Sequence, residues 1–486
     1  MLHSDRIARN TSYLTIAFVG QKVLSLVYFV FISRSVGVEN LGMYITALNL
    51  TTLFGIFIDL SFNQVLIRET AKHPEAAERY LNATLAFKLL TALGAYALVM
   101  VVVNAFSYPD LTRSLVTFSG LVMIFDSFTL SFYAILRGVQ RLKFEAIGTI
   151  LTKIIVMSVG IVGLRLGAGI HFVMIALLVG SVFSFLYSLL MVRRHVGVLA
   201  KPRWDSSALR FLGGIAVPFA LAAILNAVYA NIDQLLLSHP LLTGTRGASY
   251  VGWYGTAYKL TFSLQFFPAA VAAAIFPAMS AYYLTSRELL AKTFRRSMFY
   301  LTVLAVPISV GIFILAKPLV LQLYTSAFQA SVMPLKILVS SLLFVFLNYP
   351  VGYLLNATDR QARNTLHLSV VVAVNVVLNV LLIPKYTFIG TAVASLVSSI
   401  LYLGLNVSVA RNIVPGEMKT LTVTLMKAIL AAGVMGGVIL LLQQWLGLLF
   451  LVVAGSLVYF TVLFLVRGIQ VSDGMKIYHA LLRKLT

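Results

Sequence analysis

Apolar runs of about 20 residues recur from one end of this chain to the other, and nothing else in the sequence limits the fold as much. A run of that length crosses a hydrocarbon core of about 30 Å as a helix. Inside lipid a helix satisfies its own backbone hydrogen bonds, so an all-α chain of many spans is the expected product. Charged residues fill only 11% of the 486 positions, against about 25% in a soluble domain, and no stretch between the runs is long enough to fold separately in water.

Apolar windows place helices 1 to 6 near Thr11–Ser33, Leu41–Ile67, Tyr80–Phe106, Ser114–Leu136, Ala146–Leu166 and Ile170–Val192. The basic start MLHSDRIARN precedes helix 1 without a small-residue cleavage site, so helix 1 is expected as a span rather than a removable signal. The polar stretch RRHVGVLAKPRWDSSALR follows helix 6 and has the composition of a linker. Helices 7 to 12 are expected near Phe211–Leu237, Trp253–Leu284, Met298–Ala316, Val332–Asn356, Leu366–Ile383 and Phe388–Ala410. A last pair covers Leu421–Leu442 and Leu446–Val466. This gives about fourteen transmembrane helices: a six-helix lobe in residues 1–200, a second in 201–415, and helices 13 and 14 with a cytoplasmic tail in 416–486.

Charge checks that count, because short cytoplasmic loops accumulate Lys and Arg. With the N terminus inside, the inner segments carry 25 Lys and Arg and the outer loops only 6. One missed span would invert every later loop and spoil the bias, so both termini are expected in the cytoplasm and the protein in the cell's inner membrane. The net charge of +22 sits in these loops, where anionic headgroups account for it better than nucleic acid, which wants a basic face on a soluble fold. There is no cysteine, and the seven histidines show no metal-ligand spacing, so no metal or cofactor is expected. NxS/T matches at Asn10, Asn82 and Asn356 fall inside or within helices and carry no glycosylation reading.

A weak internal repeat is visible. LGMYITAL at Leu41–Leu48 shares Gly, Tyr, Thr and Ala at matching offsets with VGWYGTAY at Val251–Tyr258, 210 residues on. LRGVQRLKF from Leu136 matches LNATDRQAR from Leu355 in the same way, each between the fourth and fifth helices of its lobe. Six is even, so both lobes enter from the same side and the repeat is parallel, about an axis along the membrane normal.

VGWYGTAYKL, FPAAVAAAIFPAMSAYY, ILRGVQRLKFEAIGTI and NVVLNVLLIPKYTFIGTAVAS, in this order and spacing, resemble the polysaccharide-transporter branch of the multidrug/oligosaccharidyl-lipid/polysaccharide exporter superfamily. The resemblance spans most of residues 1–410. It implies two six-helix bundles around a central cavity that moves a polyprenyl-diphosphate-linked oligosaccharide to the outer leaflet by alternating access. The partners implied are that lipid-linked oligosaccharide, membrane lipids and glycan-assembly enzymes of the membrane, and the protein itself is not an enzyme. A cation-coupled multidrug exporter of the same superfamily is the alternative, though such chains resemble twelve-helix proteins. A membrane glycosyltransferase or polymerase would need a large polar loop or interfacial carboxylates, which this chain lacks.

Ionisable residues within spans are the best functional pointers, since each costs about 2.5–3.5 kcal/mol at a helix centre. They are Lys22, Lys88, Lys153, Lys259, Lys336, Lys427, Asp59, Asp126 and Asp233. Lys336 and Lys427 lie near helix ends and are expected to snorkel. Lys88 and Lys153 are expected either to snorkel or to face the cavity. Lys22, beside Gln21 near mid-membrane, is expected to face the cavity and meet the substrate's diphosphate. Asp233 with Lys259, and Asp126 with Lys153, are candidate structural ion pairs, while Asp59 has Lys22 or Arg68 within reach. Lys22, Lys153, Lys259, Asp59, Asn63, Asn226, Asn231 and Gln265 form the candidate substrate-binding set. For the uncharged members and for Asn49 and Gln64, interhelical hydrogen bonding is the plainer role. Tyr44, Trp253, Tyr254 and Tyr258 are expected in an interfacial aromatic belt. Pro218, Pro268, Pro277, Pro307, Pro334 and Pro350 place the expected kinks in the second lobe.

Overall fold

The structure, a computed structural model, describes residues 2–469, and the side chains among them other than those of residues 2–17, 19, 218 and 418–420. Among the described residues the secondary structure is helical, with no strand. Twelve apolar helical stretches are long enough to span a membrane, and two of them, Gly20–Asp59 and Gln361–Ile413, contain 40 and 53 residues. At 1.5 Å per residue these measure about 60–80 Å, roughly twice a bilayer. Each is broken by one non-helical residue, Gly37 (φ 77°, ψ 174°) in the first and Thr387 (φ 53°) in the second. Gly37 occupies a region that only glycine enters without strain.

Fourteen membrane helices result. Helix 1 covers residues 2–36 and helix 2 residues 38–59, continued as Phe62–Lys72. Helices 3 to 7 are Ala77–Ala105, Asp110–Gly138, Leu142–Arg165, Gly169–Val196 and Ser206–Ser238. Helix 8 is Gly247–Leu264 continued as Phe266–Thr285, and helices 9 and 10 are Arg287–Leu323 and Val332–Ala357. Helices 11 and 12 cover residues 361–386 and 388–413, and helices 13 and 14 are Glu417–Leu442 and Leu448–Leu465. The cytoplasmic tail expected after helix 14 lies largely outside the described residues.

The break in helix 8 falls at Gln265, so Pro268 sits in the first turn of the second piece, where its missing N–H costs nothing. Helix 2 breaks without any proline, at Leu60 (φ 40°) and Ser61 (φ 66°). Kinks are therefore not confined to the proline-bearing half of the chain. Helix 7 starts at its N-cap Asp205, whose side chain accepts from the Ala208 N–H. The Arg79 guanidinium, 2.7 Å away, holds the Asp205 carboxyl well below the usual carboxylate range, helped by that N–H and by Ser207.

The chain divides into two compact units, residues 1–256 with 376–391, and residues 257–375 with 392–486. In the first, helix 4 packs on helices 2, 3 and 6, and helix 5 on helices 1 and 6. Its core joins Leu66, Leu81, Leu85, Phe128, Phe132 and Val192. In the second, helix 9 packs on helices 10 and 13. Val303 and Val306 of helix 9 meet Ala428, Ala431, Ala432 and Met435 of helix 13 and Tyr459 of helix 14. Small residues on helix 13 let the backbones approach, and the Tyr459 hydroxyl donates to Val303 O at 3.0 Å. The C-terminal pair packs within the second unit.

Backbone geometry carries the internal repeat. A Cβ added at Gly42 would meet the carbonyl oxygen of Ala248 and the amide of Gly252, and one at Gly252 would meet the carbonyl oxygen of Val38. Shifted by 210 positions, Val38 becomes Ala248 and Gly42 becomes Gly252, so the contact is reciprocal, as a local two-fold requires. The second pair of matching segments shows the same agreement. Gln140 (φ 59°) and Asp359 (φ 58°) both take the left-handed conformation, and Arg141 N–H to Leu136 O and Arg360 N–H to Leu355 O are both 2.8 Å. Each turn is a six-to-one helix cap of the Schellman type.

Candidate functional site

The break in helix 2 is held by Lys88 of helix 3. Its side chain is 0% exposed, and its ammonium lies 2.7 Å from Asp59 Oδ1. It donates to Asn63 Oδ1 at 3.0 Å and to the Ser127 carbonyl at 2.9 Å. The Ser131 hydroxyl donates to the same Asn63 oxygen at 2.9 Å, and the Thr91 hydroxyl reaches the Ile58 carbonyl next to the break at 3.2 Å. All three ammonium protons are used, which is how a protein keeps a charge out of water without neutralising it. Lys88 therefore neither snorkels nor lines a cavity. Asp59 pairs with it rather than with Lys22 or Arg68, and Arg68 meets Glu69 instead at 3.5 Å. An apolar window tells how deep a lysine lies but not towards which neighbour its helix turns it.

Lys22, Lys153 and Asp126, from helices 1, 5 and 4, form a second cluster in the same unit. Lys153 interacts electrostatically with both Asp126 and Lys22, and Asp126 sits beside Ser181 of helix 6. Asp126 and Lys153 do not close a direct ion pair. Asp126 and Lys22 are exposed, while Lys153 is half-buried. Charges left exposed within spans face a wet space rather than lipid. Two ammonium groups and one carboxylate leave this space with an excess of positive charge.

Asp233, buried near the end of helix 7, accepts from the Tyr254 hydroxyl at 2.9 Å and from Asn379 Nδ2 at 2.8 Å. Its candidate partner Lys259 is half-buried on helix 8 and belongs to the second unit. Tyr254 and Tyr44 are buried, 0% and 6% exposed, so neither belongs to an interfacial belt. The close approach of Gly42 and Gly252 pulls these helix starts into the protein. Asn49 Nδ2 donates to Gln234 Oε1 at 3.0 Å, an interhelical bond. Asn226 and Asn231 each return an amide proton to their own helix, to Ala222 O at 2.7 Å and Ala227 O at 2.8 Å. Gln265 stands half-buried at the break in helix 8. Lys336 lies over the Phe313 ring at 5.2 Å, and Lys427 donates to Arg467 O at 3.0 Å. No group of His, Asp and Glu fit to hold a metal occurs among the described residues.

Comparison with known proteins matches a family model described as polysaccharide biosynthesis protein to residues 7–283, more than half of the chain. The chain belongs to the polysaccharide biosynthesis protein family. A relative of the same build is a probable low-salt glycan biosynthesis flippase of Haloferax volcanii, 22% identical over 96% of this chain and 97% of its own. Among solved structures, the lipid II flippase MurJ in an inward closed conformation matches with a TM-score of 0.75 at 18% identity, over 92% of this chain and 97% of that one. An inward-facing multidrug resistance MATE family transporter of the MOP superfamily matches with a TM-score of 0.60 at 14% identity, over 83% of this chain and 99% of that one. The fold is therefore the multi-pass helical fold shared by these transporters.

Two site features escaped sequence reasoning. Lys88 carried only the signal of its depth in an apolar run, because Asp59 and Asn63 flank the break at Leu60 and Ser61 and their spacing of four residues does not set a shared helix face. Asn375 and Asn379 show the same spacing on helix 11, and Asn379 is the residue that reaches Asp233. Tyr254 gave none, since its burial follows from a backbone approach between distant segments.

Proposed function

We propose that the protein is a flippase that carries a polyprenyl-diphosphate-linked oligosaccharide from the inner to the outer leaflet by alternating access. The observation that carries this reading is the Lys22–Lys153–Asp126 cluster, a net positive group of two exposed side chains and one half-buried side chain on membrane-spanning helices. At low local dielectric a cation attracts a diphosphate strongly, and a neutral glycan cannot supply that anchor. The names of the relative, a probable glycan biosynthesis flippase, and of the fold neighbour, a lipid II flippase, support the same reading. A MATE-like drug exporter is the second reading, supported by the shared fold, but that neighbour covers less of this chain than MurJ does.

In this proposal Lys22 meets the diphosphate, Lys153 adds a second cation, and Asp126 keeps the pair from repelling each other when the site is empty. Asn226, Asn231 and Gln265 offer hydrogen bonds to sugar hydroxyls. Asp233 and Lys259 act as a structural ion pair, for which additive losses in a double-neutral variant would be evidence against. The two lobes are residues 1–200 and 201–415, with 416–486 as an accessory pair, both termini lie in the cytoplasm, and the inner membrane is the site of action beside glycan-assembly enzymes. Depleting the protein in its own cell is expected to accumulate a lipid-linked oligosaccharide and reduce surface glycan. An unchanged glycan together with increased sensitivity to cationic dyes would favour the drug exporter.

A further inference from the structure

A second polar network lies in the other unit, among helices 10, 11 and 12, and none of its members carries a fixed charge. Asn406, 0% exposed, donates through Nδ2 to Asn348 Oδ1 at 2.9 Å and to Asn364 Oδ1 at 3.2 Å. The Tyr402 hydroxyl donates to the same Asn364 oxygen at 3.1 Å, and Asn364 Nδ2 donates to Asn356 Oδ1 at 3.2 Å. His367 Nδ1 lies 2.7 Å from Asn406 Oδ1.

The direction of these bonds fixes what faces outwards. The amide nitrogen of Asn406 is engaged as a donor, so its oxygen accepts and His367 Nδ1 carries the proton. In the neutral ring Nε2 is then left as an acceptor. Asn356 accepts through its oxygen, which leaves Nδ2 as a donor. Neither His367 Nε2 nor Asn356 Nδ2 makes a hydrogen bond to another described residue, and the two residues are half-buried and exposed. A network that only joined helices would close on itself and be buried; this one is anchored on a buried Asn406 and ends in one oriented acceptor and one oriented donor. One acceptor and one donor without formal charge, held by the same network, match the hydroxyl and amide groups of an uncharged sugar, where each hydroxyl both donates and accepts. The network lies at the end of helix 10, the start of helix 11 and the end of helix 12, which the proposed orientation places on the cytoplasmic side where substrate is loaded.

We infer that Asn356 and His367, oriented by Asn364 and Asn406, form a binding subsite for an uncharged sugar residue of the lipid-linked substrate. This rests on the flippase reading and adds to it a sugar site distinct from the cationic cluster. The test measures binding of two lipids to the purified full chain: a short polyprenyl diphosphate, and the same lipid bearing one acetamido-hexose. Wild type is expected to bind the sugar-bearing lipid about tenfold more tightly, the effect of two or three neutral hydrogen bonds. Asn356→Ala and His367→Phe should each reduce that preference to about threefold or less, with affinity for the sugarless lipid unchanged. The sugarless lipid also reports that each variant is folded. If both variants keep the full preference, or wild type has none, the subsite is overturned while the flippase reading stands. If wild type binds neither lipid, the flippase reading itself fails and the subsite with it.

Discussion

Lys88 is the residue whose neighbours most change how the first unit should be understood. A fully buried ammonium with an acid, an amide oxygen and a carbonyl around it is a structural joint across a broken helix. Removing one partner leaves the other charge buried and unpaired, which costs about 3–5 kcal/mol. Lys88→Met and Asp59→Asn should therefore each lower the unfolding temperature of the detergent-solubilised protein markedly, and Lys88→Met combined with Asp59→Leu should recover part of the loss. Single variants as stable as wild type would remove Lys88 from this role. The sequence placed Lys88 and Asp59 within spans because depth follows from counting along an apolar run. It did not show their azimuth. Whether Asp59 met Lys22, Arg68 or Lys88 depended on which way helices 2 and 3 turn, and the break at Leu60 and Ser61 has no proline to announce it.

At the scale of elements, the two matching turns offer a test that touches neither cluster. Gln140 and Asp359 hold left-handed conformations that glycine takes without a Cβ penalty. Gln140→Gly and Asp359→Gly should each stabilise, or at worst leave unchanged, the protein by up to about 1 kcal/mol, whereas Gln140→Val should destabilise it. Loss of stability in both glycine variants would mean that their side chains contribute more than the backbone relaxes. The repeat was visible from residue identity at a few positions, and the backbone angles agree at Gln140 and Asp359, which differ in identity but precede the matching Arg141 and Arg360. The number and order of the helices were legible because lipid thickness sets a minimum length, but their ends were not: helix 9, expected over Met298–Ala316, runs Arg287–Leu323. The merging of helices 1 and 2 and of helices 11 and 12 into nearly continuous stretches was not, since the turns at Gly37 and Thr387 are too short to leave a polar gap.

For the whole molecule, the alternation of Lys and Arg between inner and outer loops predicts sidedness. Single cysteines placed in residues 201–207 should react only from the cytoplasm and those in 243–247 only from outside, in a chain that has no native cysteine. Reaction of both segments from one side would refute the orientation. The steric contact at Gly42 predicts that Gly42→Ala disrupts folding, because its Cβ would overlap the Ala248 carbonyl, where no side chain can yield. The candidate site was legible only in part: Lys22 and Lys153 stood out as charges in apolar runs, but the uncharged network around Asn406 did not, since asparagines in spans serve more often as interhelical links. The flippase proposal as a whole is tested most directly by reconstituting the protein in vesicles and following the outer-leaflet appearance of a polyprenyl-diphosphate-linked sugar. Transport is expected from wild type, much of it from Lys22→Arg, little from Lys22→Gln and almost none from Lys22→Glu, each inserted at equal levels. Wild-type transport by a stably inserted Lys22→Gln protein would contradict a diphosphate anchored at Lys22, and no transport by wild type would contradict the flippase itself.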